Sequence, residues 1–239
     1  MSKRGNGNNI SLDGGQGGTA EQQAYLLVKT RIMEMYYKPG QYVVDSELAD
    51  ELTISRTPIA NALRRLEYEG LLTNQPRRGW QVTPLSLDDI HEIFNIKEAL
   101  ETMIVRQAAA CNDQTLRYTL RESVDGMQRY SAAGDTQAWD AVHMRWHQTV
   151  LAMSEYPDGR VPRILNNLND QWRRVRRGLL AIEGRMARET VEHALIADSI
   201  LAQNLDEAEQ RTLRHLQHVR QEVVSLLASM VLPFATHGV

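Results

Sequence analysis

Four histidines stand at spacings that let a folded chain bring them together. His143 and His147 are four residues apart, so a helix carries both on one face. His193 and His215 are 22 residues apart, on either side of a break at Asn204-Leu205-Asp206. Each lies about ten residues from that break, and at ~1.5 Å rise per residue two antiparallel helices joined there hold both rings at similar height. Imidazoles converging inside a bundle can bind a divalent ion. Neutral imidazole suits zinc, nickel or copper better than magnesium or calcium, with zinc or nickel the expected occupant here. Four neutral ligands leave the ion its full charge, which favours an anionic partner such as a small carboxylate. The other reading of these histidines is structural.

A second group could meet the same carboxylate. Arg173-Arg174-Val175-Arg176-Arg177 follows Asn166-Asn167-Leu168-Asn169. Helical spacing lets Arg173 and either Arg176 or Arg177 face inward, and a guanidinium grips a carboxylate with two parallel hydrogen bonds. A solvated face or interdomain salt bridges is the alternative for these arginines. His91, His218 and His237 show no partner pattern and read as surface. Trp139, Trp146 and Trp172 read as core.

The elements that must position these side chains are helical. From Ser86 onward six segments are expected, roughly 86–110, 113–132, 135–155, 159–182, 186–203 and 206–231. Breaks fall at Asn112, Gly134-Asp135, Pro157-Asp158-Gly159, Gly184 and Asn204-Asp206. Ser86 to Asp89 reads as a capping box with an acidic partner. This part of the chain is an all-α bundle.

Asp45 to Gly79 has a different pattern. Leu48, Ala49 and Leu52 are spaced for burial on a short helix, and Thr53-Ile54 makes a turn. Ser55 is placed as an N-cap, and Pro58 falls in the first turn of the following helix, where its missing N–H costs nothing. Ile59, Ala62, Leu63 and Leu66 form an apolar stripe that leaves Ser55, Arg56, Thr57, Asn61, Arg64 and Arg65 to point elsewhere. Gly70 ends the helix. Leu71 to Thr73 and Trp80 to Val82 read as two strands of a wing with Arg77-Arg78-Gly79 at its tip. Such a helix fits a DNA major groove, and a basic hairpin tip reaches phosphates or the adjacent minor groove. Residues 21–53 carry three Lys/Arg against six Asp/Glu, whereas residues 54–83 carry five Arg against two Glu. Positive charge is concentrated on the reading half.

The expected fold is mainly α. A flexible tail (1–19, with six glycines) precedes a winged helix-turn-helix (20–84). A six-helix effector-binding and dimerisation domain (85–232) and a short tail (233–239) follow. With 239 residues the chain can form two domains, and 24% charged with 42% hydrophobic residues is ordinary for globular protein. One cysteine, Cys111, rules out an internal disulfide framework. No apolar run is long enough for a membrane span and no signal segment is evident, so a cytoplasmic location is expected.

The N-terminal pattern closely resembles the reader domain of the GntR family of bacterial transcription regulators. The matching residues are Pro39-Gly40, Glu47-Leu48-Ala49, Ser55 to Pro58, Ala62 to Glu67, Glu69-Gly70-Leu71 and Arg77-Arg78-Gly79. Ala60-Asn61 departs from the family's Arg-Glu. Asn61 either pairs with an adenine edge or is a solvated helix position. Residues 86–231 resemble the ligand-binding FCD domain of the FadR-type branch, and six helices point to its VanR-like group. The resemblance implies a metal site in which Trp146-His147, Glu192-His193 and His215 match, while His143 stands where the family has Asp. Asp140, one turn earlier, is the candidate either to substitute as a ligand or to orient one from behind. Lys97 stands where the family has a pocket arginine. Also implied are a homodimer on a pseudo-palindromic double-stranded operator and control by a small organic acid, with repression the usual sense and activation open. Two rival readings are a metal-free effector-binding regulator and a metal-dependent hydrolase with Glu192 as base.

Overall fold

The computed structural model describes residues 18–180 and 182–231, without the side chains of 173–178 and 229–231. The expected tails fall almost wholly outside the described residues. Gly18 and Thr19 are the exceptions, and the Thr19 hydroxyl accepts from Gln22 N and caps α1 (Ala20–Met33). Ala24, Tyr25, Val28 and Ile32 form the buried stripe of that helix.

The helix-turn-helix consists of α2 (Asp45–Leu52) and α3 (Arg56–Tyr68), joined through Thr53 in the left-handed region. Ser55 occupies the N-cap position of α3 with extended backbone, but its hydroxyl makes no capping bond. At the other end Gly70 adopts φ +75°, and Leu71 N donates to Leu66 O at 2.9 Å while Gly70 N donates to Glu67 O at 2.8 Å. These two bonds close a Schellman motif and turn the chain into the wing. The wing is a three-stranded antiparallel sheet rather than the expected two. β1 (Tyr42–Val43) pairs with β3 (Gly79–Val82), which also pairs with β2 (Leu72–Gln75). Only tertiary pairing makes β1 a strand, because two residues carry no alternation to read.

Among the described residues six helices follow: α4 (Leu87–Ala110), α5 (Gln114–Ala133), α6 (Thr136–Ala152), α7 (Arg160–Leu180), α8 (Arg185–Leu201) and α9 (Leu205–Val231). Ser86 and Asp89 make the reciprocal bonds of a capping box at the start of α4. No described helix is long and apolar enough to cross a membrane. One hydrophobic cluster fills the N-terminal domain around Leu63 and Leu66, and two fill the bundle, around Trp139 with Ile196 and around Phe94 with Leu216. At Gly126 of α5, an added Cβ would meet Val142 Cγ1 of α6 at 2.9 Å, and a valine has little freedom to yield. Gly126→Ala is therefore expected to destabilise the bundle by about 1–3 kcal/mol, read as a lowered Tm.

The two domains touch directly. Lys29 Nζ of α1 meets Asp170 Oδ2 of α7 at 2.6 Å, and Gln171 Nε2 donates to the backbone oxygen of Glu69, the C-cap of α3, at 3.2 Å.

Candidate metal centre and nucleic-acid interface

Helices α6, α8 and α9 bring the four histidines to one place. His143 Nε2 lies 3.1 Å from His193 Nε2 and 3.2 Å from His147 Nε2, and His193 to His147 is 3.4 Å. His215 packs its ring against His193, centroids 4.6 Å apart. Donor atoms of Glu189, His193 and His215 form a second group, all within 4.8 Å. Asp140 belongs to neither group.

The outer nitrogens fix which atoms face inward. His193 Nδ1 lies 2.8 Å from the carbonyl oxygen of Glu189, which can only accept, so Nδ1 carries the proton and Nε2 keeps its lone pair. Burial, then the neighbouring His143 and His215, hold His193 well below its usual pKa, so it is neutral. His215 Nδ1 lies 2.7 Å from Glu192 Oε2, and His218 Nδ1 lies 2.8 Å from Glu192 Oε1. Burial pushes the Glu192 carboxyl up, but its bonds to His215 and His218 outweigh that and hold it below the usual range. An ionised Glu192 makes His215 Nδ1 a donor and turns its Nε2 inward, as outer carboxylates do for metal-bound histidines. Sequence spacing offered His218 no partner; the structure pairs it with Glu192 while leaving its side chain 60% exposed.

These donors fit a divalent ion. Bond lengths of about 2.0–2.1 Å imply nitrogen–nitrogen edges of roughly 2.9–3.4 Å, the range in which the triangle falls. Without a shared cation, each proton could satisfy only one of these inward contacts. The Trp139 ring stacks on His143 at 4.8 Å, and its Nε1 donates to Thr190, so this tryptophan is both core and a shelf for the site.

His143, His147 and His215 border a cavity of about 400 Å³. Lys97, buried on α4, lines it, bonded to Glu101 at 2.5 Å and to Asn169 of α7 at 2.6 Å. Lys29 and Asp170 line it as well, so the wall includes a side chain from the N-terminal domain. Sequence reading missed Lys29, Asp170 and Glu189. Glu189 had a signal in its spacing, since it lies one turn before His193 on the same face. The side chains of Arg173, Arg176 and Arg177 lie outside the described residues.

On the N-terminal domain, Ser55, Arg56, Thr57, Arg64, Arg77, Arg78 and Gly79 are exposed. No ion pair holds Arg56, Arg77 or Arg78 among the described residues. Arg65 is exposed as well and Asn61 is half-buried, and both also contact α1. The Arg65 guanidinium stacks on Tyr25 of α1 at 3.7 Å and Arg65 Nε approaches Glu69 at 3.4 Å. Asn61 donates to Glu21 of α1 at 3.3 Å and accepts from Arg64 at 3.2 Å.

Residues 20–82 match the gntR family of bacterial regulatory proteins, and residues 92–218 match the FCD domain. The chain belongs to the GntR family. It is thus a DNA-binding transcription regulator with an FCD domain, in a family of regulators rather than enzymes. It is 27% identical over 200 residues to the uncharacterized HTH-type transcriptional regulator YdhC of Bacillus subtilis, covering 82% of this chain and 87% of the relative. It is 24% identical over 207 residues to the Nta operon transcriptional regulator of Aminobacter aminovorans, covering 85% and 94%. In fold it is similar to a GntR regulator from Rhodococcus sp. RHA1, with a TM-score of 0.70 at 16% identity over 87% of this chain and 99% of that one. It is also similar to McbR/YncC of Escherichia coli, with a TM-score of 0.66 at 21% identity over 90% and 100%.

Proposed function

We propose that this regulator is a dimeric repressor whose operator affinity is set by a small carboxylate effector bound at a zinc or nickel centre in the bundle. The observation that carries the reading is the inward-facing Nε2 triangle of His143, His147 and His193 beside a cavity that reaches the N-terminal domain. When bound, the metal supplies a positive site for a carboxylate oxygen. His143, His147, His193 and His215 hold it, and Glu192 fixes the His215 ring from behind. Lys97 is placed to take a second anionic group, competing with Glu101 for its ammonium.

Coupling to the reader runs through α7. Asn169 touches Lys97 in the pocket, Asp170 pairs with Lys29 of α1, and Gln171 holds the end of α3. An effector that moves these three successive residues shifts the reader against the bundle. It controls operator affinity only in so far as it binds the two arrangements unequally. On the DNA side, Arg56, Thr57 and Arg64 are the groove-facing candidates of α3, with Arg77, Arg78 and Gly79 at the wing tip. Arg65, exposed beside them, and Asn61 also brace α3 against α1.

Selection of genomic fragments by the purified protein tests the reader: a shared inverted repeat is expected, and retention without a common sequence would sink it. Release of that operator by a panel of small carboxylates tests the sensor. Equal release from metal-stripped protein would remove the metal from the mechanism. Arg78→Ala should flatten the slope of log affinity against log salt by ~1 for each phosphate that Arg78 neutralises, so a dimer should show about twice the effect of one subunit. An unchanged slope would place Arg78 outside the interface.

A further inference from the structure

Two glutamates stand three residues apart on α8, and the nitrogen each one touches separates their parts. Glu192 meets His215 at Nδ1, the nitrogen on the far side of the ring from the cluster. Glu189 Oε1 lies 3.2 Å from His143 Nε2, the same nitrogen that faces His147 and His193. A carboxylate supporting the ring from outside would hold Nδ1. Glu189 therefore stands on the inner side, among the donors, and its oxygen is grouped with the donor atoms of His193 and His215 within 4.8 Å.

The two oxygens of Glu189 face different groups. Oε2 faces Arg185 Nη2 at 3.5 Å, leaving Oε1 turned to the histidines. Arg185 makes its shorter contact elsewhere, with Glu222 at 2.7 Å. Glu189 is only 4% exposed. A carboxylate so deeply buried is costly unless its charge is met at close range. A cation among the imidazoles would meet it directly.

We propose that Glu189 Oε1 is the fifth protein donor of the metal centre, with Arg185 anchoring the other oxygen. The inference rests on the reading that the histidines hold a divalent ion. Four neutral imidazoles and one carboxylate leave such an ion a single net positive charge. The centre then balances one carboxylate of an effector, and any further negative charge falls to Lys97 or Lys29.

Titration of metal-stripped full-length protein with Co²⁺ tests this, reading the visible absorption of the bound ion and its affinity by competition with a chelator. Glu189→Gln is expected to weaken Co²⁺ at least about 10-fold and to change the absorption band, because the donor set changes. Glu192→Gln is expected to weaken binding by about 10–100-fold while leaving the band in place, because it acts through His215. Glu189→Asp keeps the charge beside Arg185 and withdraws the oxygen by one methylene, so it should repeat the Glu189→Gln result in a variant with the buried charge retained. Co²⁺ bound by the wild type and lost in His193→Ala, with both Glu189 variants unchanged in band and affinity, would overturn Glu189 as a ligand and leave the histidine centre standing. Failure of the wild type to bind Co²⁺ would overturn both.

Discussion

Replacing His193 by alanine is expected to abolish metal retention and, with it, the response to a carboxylate effector. His193 is the one residue in both groups of converging donor atoms, and it is completely buried. Its Nδ1 bond to the Glu189 carbonyl commits Nε2 to the centre, so no rotation of a neighbouring ring can replace it. Losing a donor in this position should weaken zinc or nickel by more than about 100-fold, beyond the 10–100-fold that removal of an outer partner brings. The void left by the imidazole adds an expected loss of about 2–4 kcal/mol in stability. Metal content after gel filtration, measured beside a thermal melt, separates the two effects. A folded variant that binds the operator but neither holds metal nor releases DNA on adding a carboxylate is the expected result. A variant that keeps its metal would show that His193 is a packing group and not a ligand.

Much of this architecture is legible in the sequence because local rules agree with the fold. The apolar stripe of α3, the Gly70 stop and the Ser86–Asp89 capping box each depend on residues within a few positions of one another. The same holds for His143 and His147, and the single turn before α9 brings His193 and His215 level. What escapes sequence reading depends on distant neighbours. Arg65 is exposed as its spacing implies, but the Tyr25 ring it stacks on, 40 residues earlier, has no local signal. β1 exists only because β3 lies beside it. Glu189 and Glu192 are both acidic and both near His193, and nothing in their spacing says which ring nitrogen each would reach. Lys29 and Asp170 meet across 141 residues, so the cavity's N-terminal wall has no local signature.

That wall carries the second large effect. Asp170→Asn is expected to leave effector binding within about 3-fold of wild type while removing most of the effector's influence on DNA. Effector coupling is commonly worth 5–150-fold in affinity, and the variant should retain about 2-fold or less. Burial tends to neutralise Lys29, but its bonds to Asp170, Tyr25 and Glu69 prevail, and its ammonium stays charged above the usual lysine range. Asparagine removes the charge that pairs with Lys29 across the domains and changes the shape little. Lys29 keeps its bond to Glu69 at 2.9 Å and to the Tyr25 hydroxyl at 2.8 Å, so α1 and α3 remain joined and operator binding without effector survives. The variant loses only the Asp170–Lys29 ion pair from α7, next to Asn169, which touches Lys97 in the pocket. Linkage is reciprocal, so the operator must also lose its power to weaken effector binding by the same factor. Measuring both directions guards against a change confined to one site. If both factors stay at their wild-type value in Asp170→Asn, the domains communicate through the Gln171–Glu69 bond or the Val82–Leu87 junction instead, and the Lys29 contact is only a clasp.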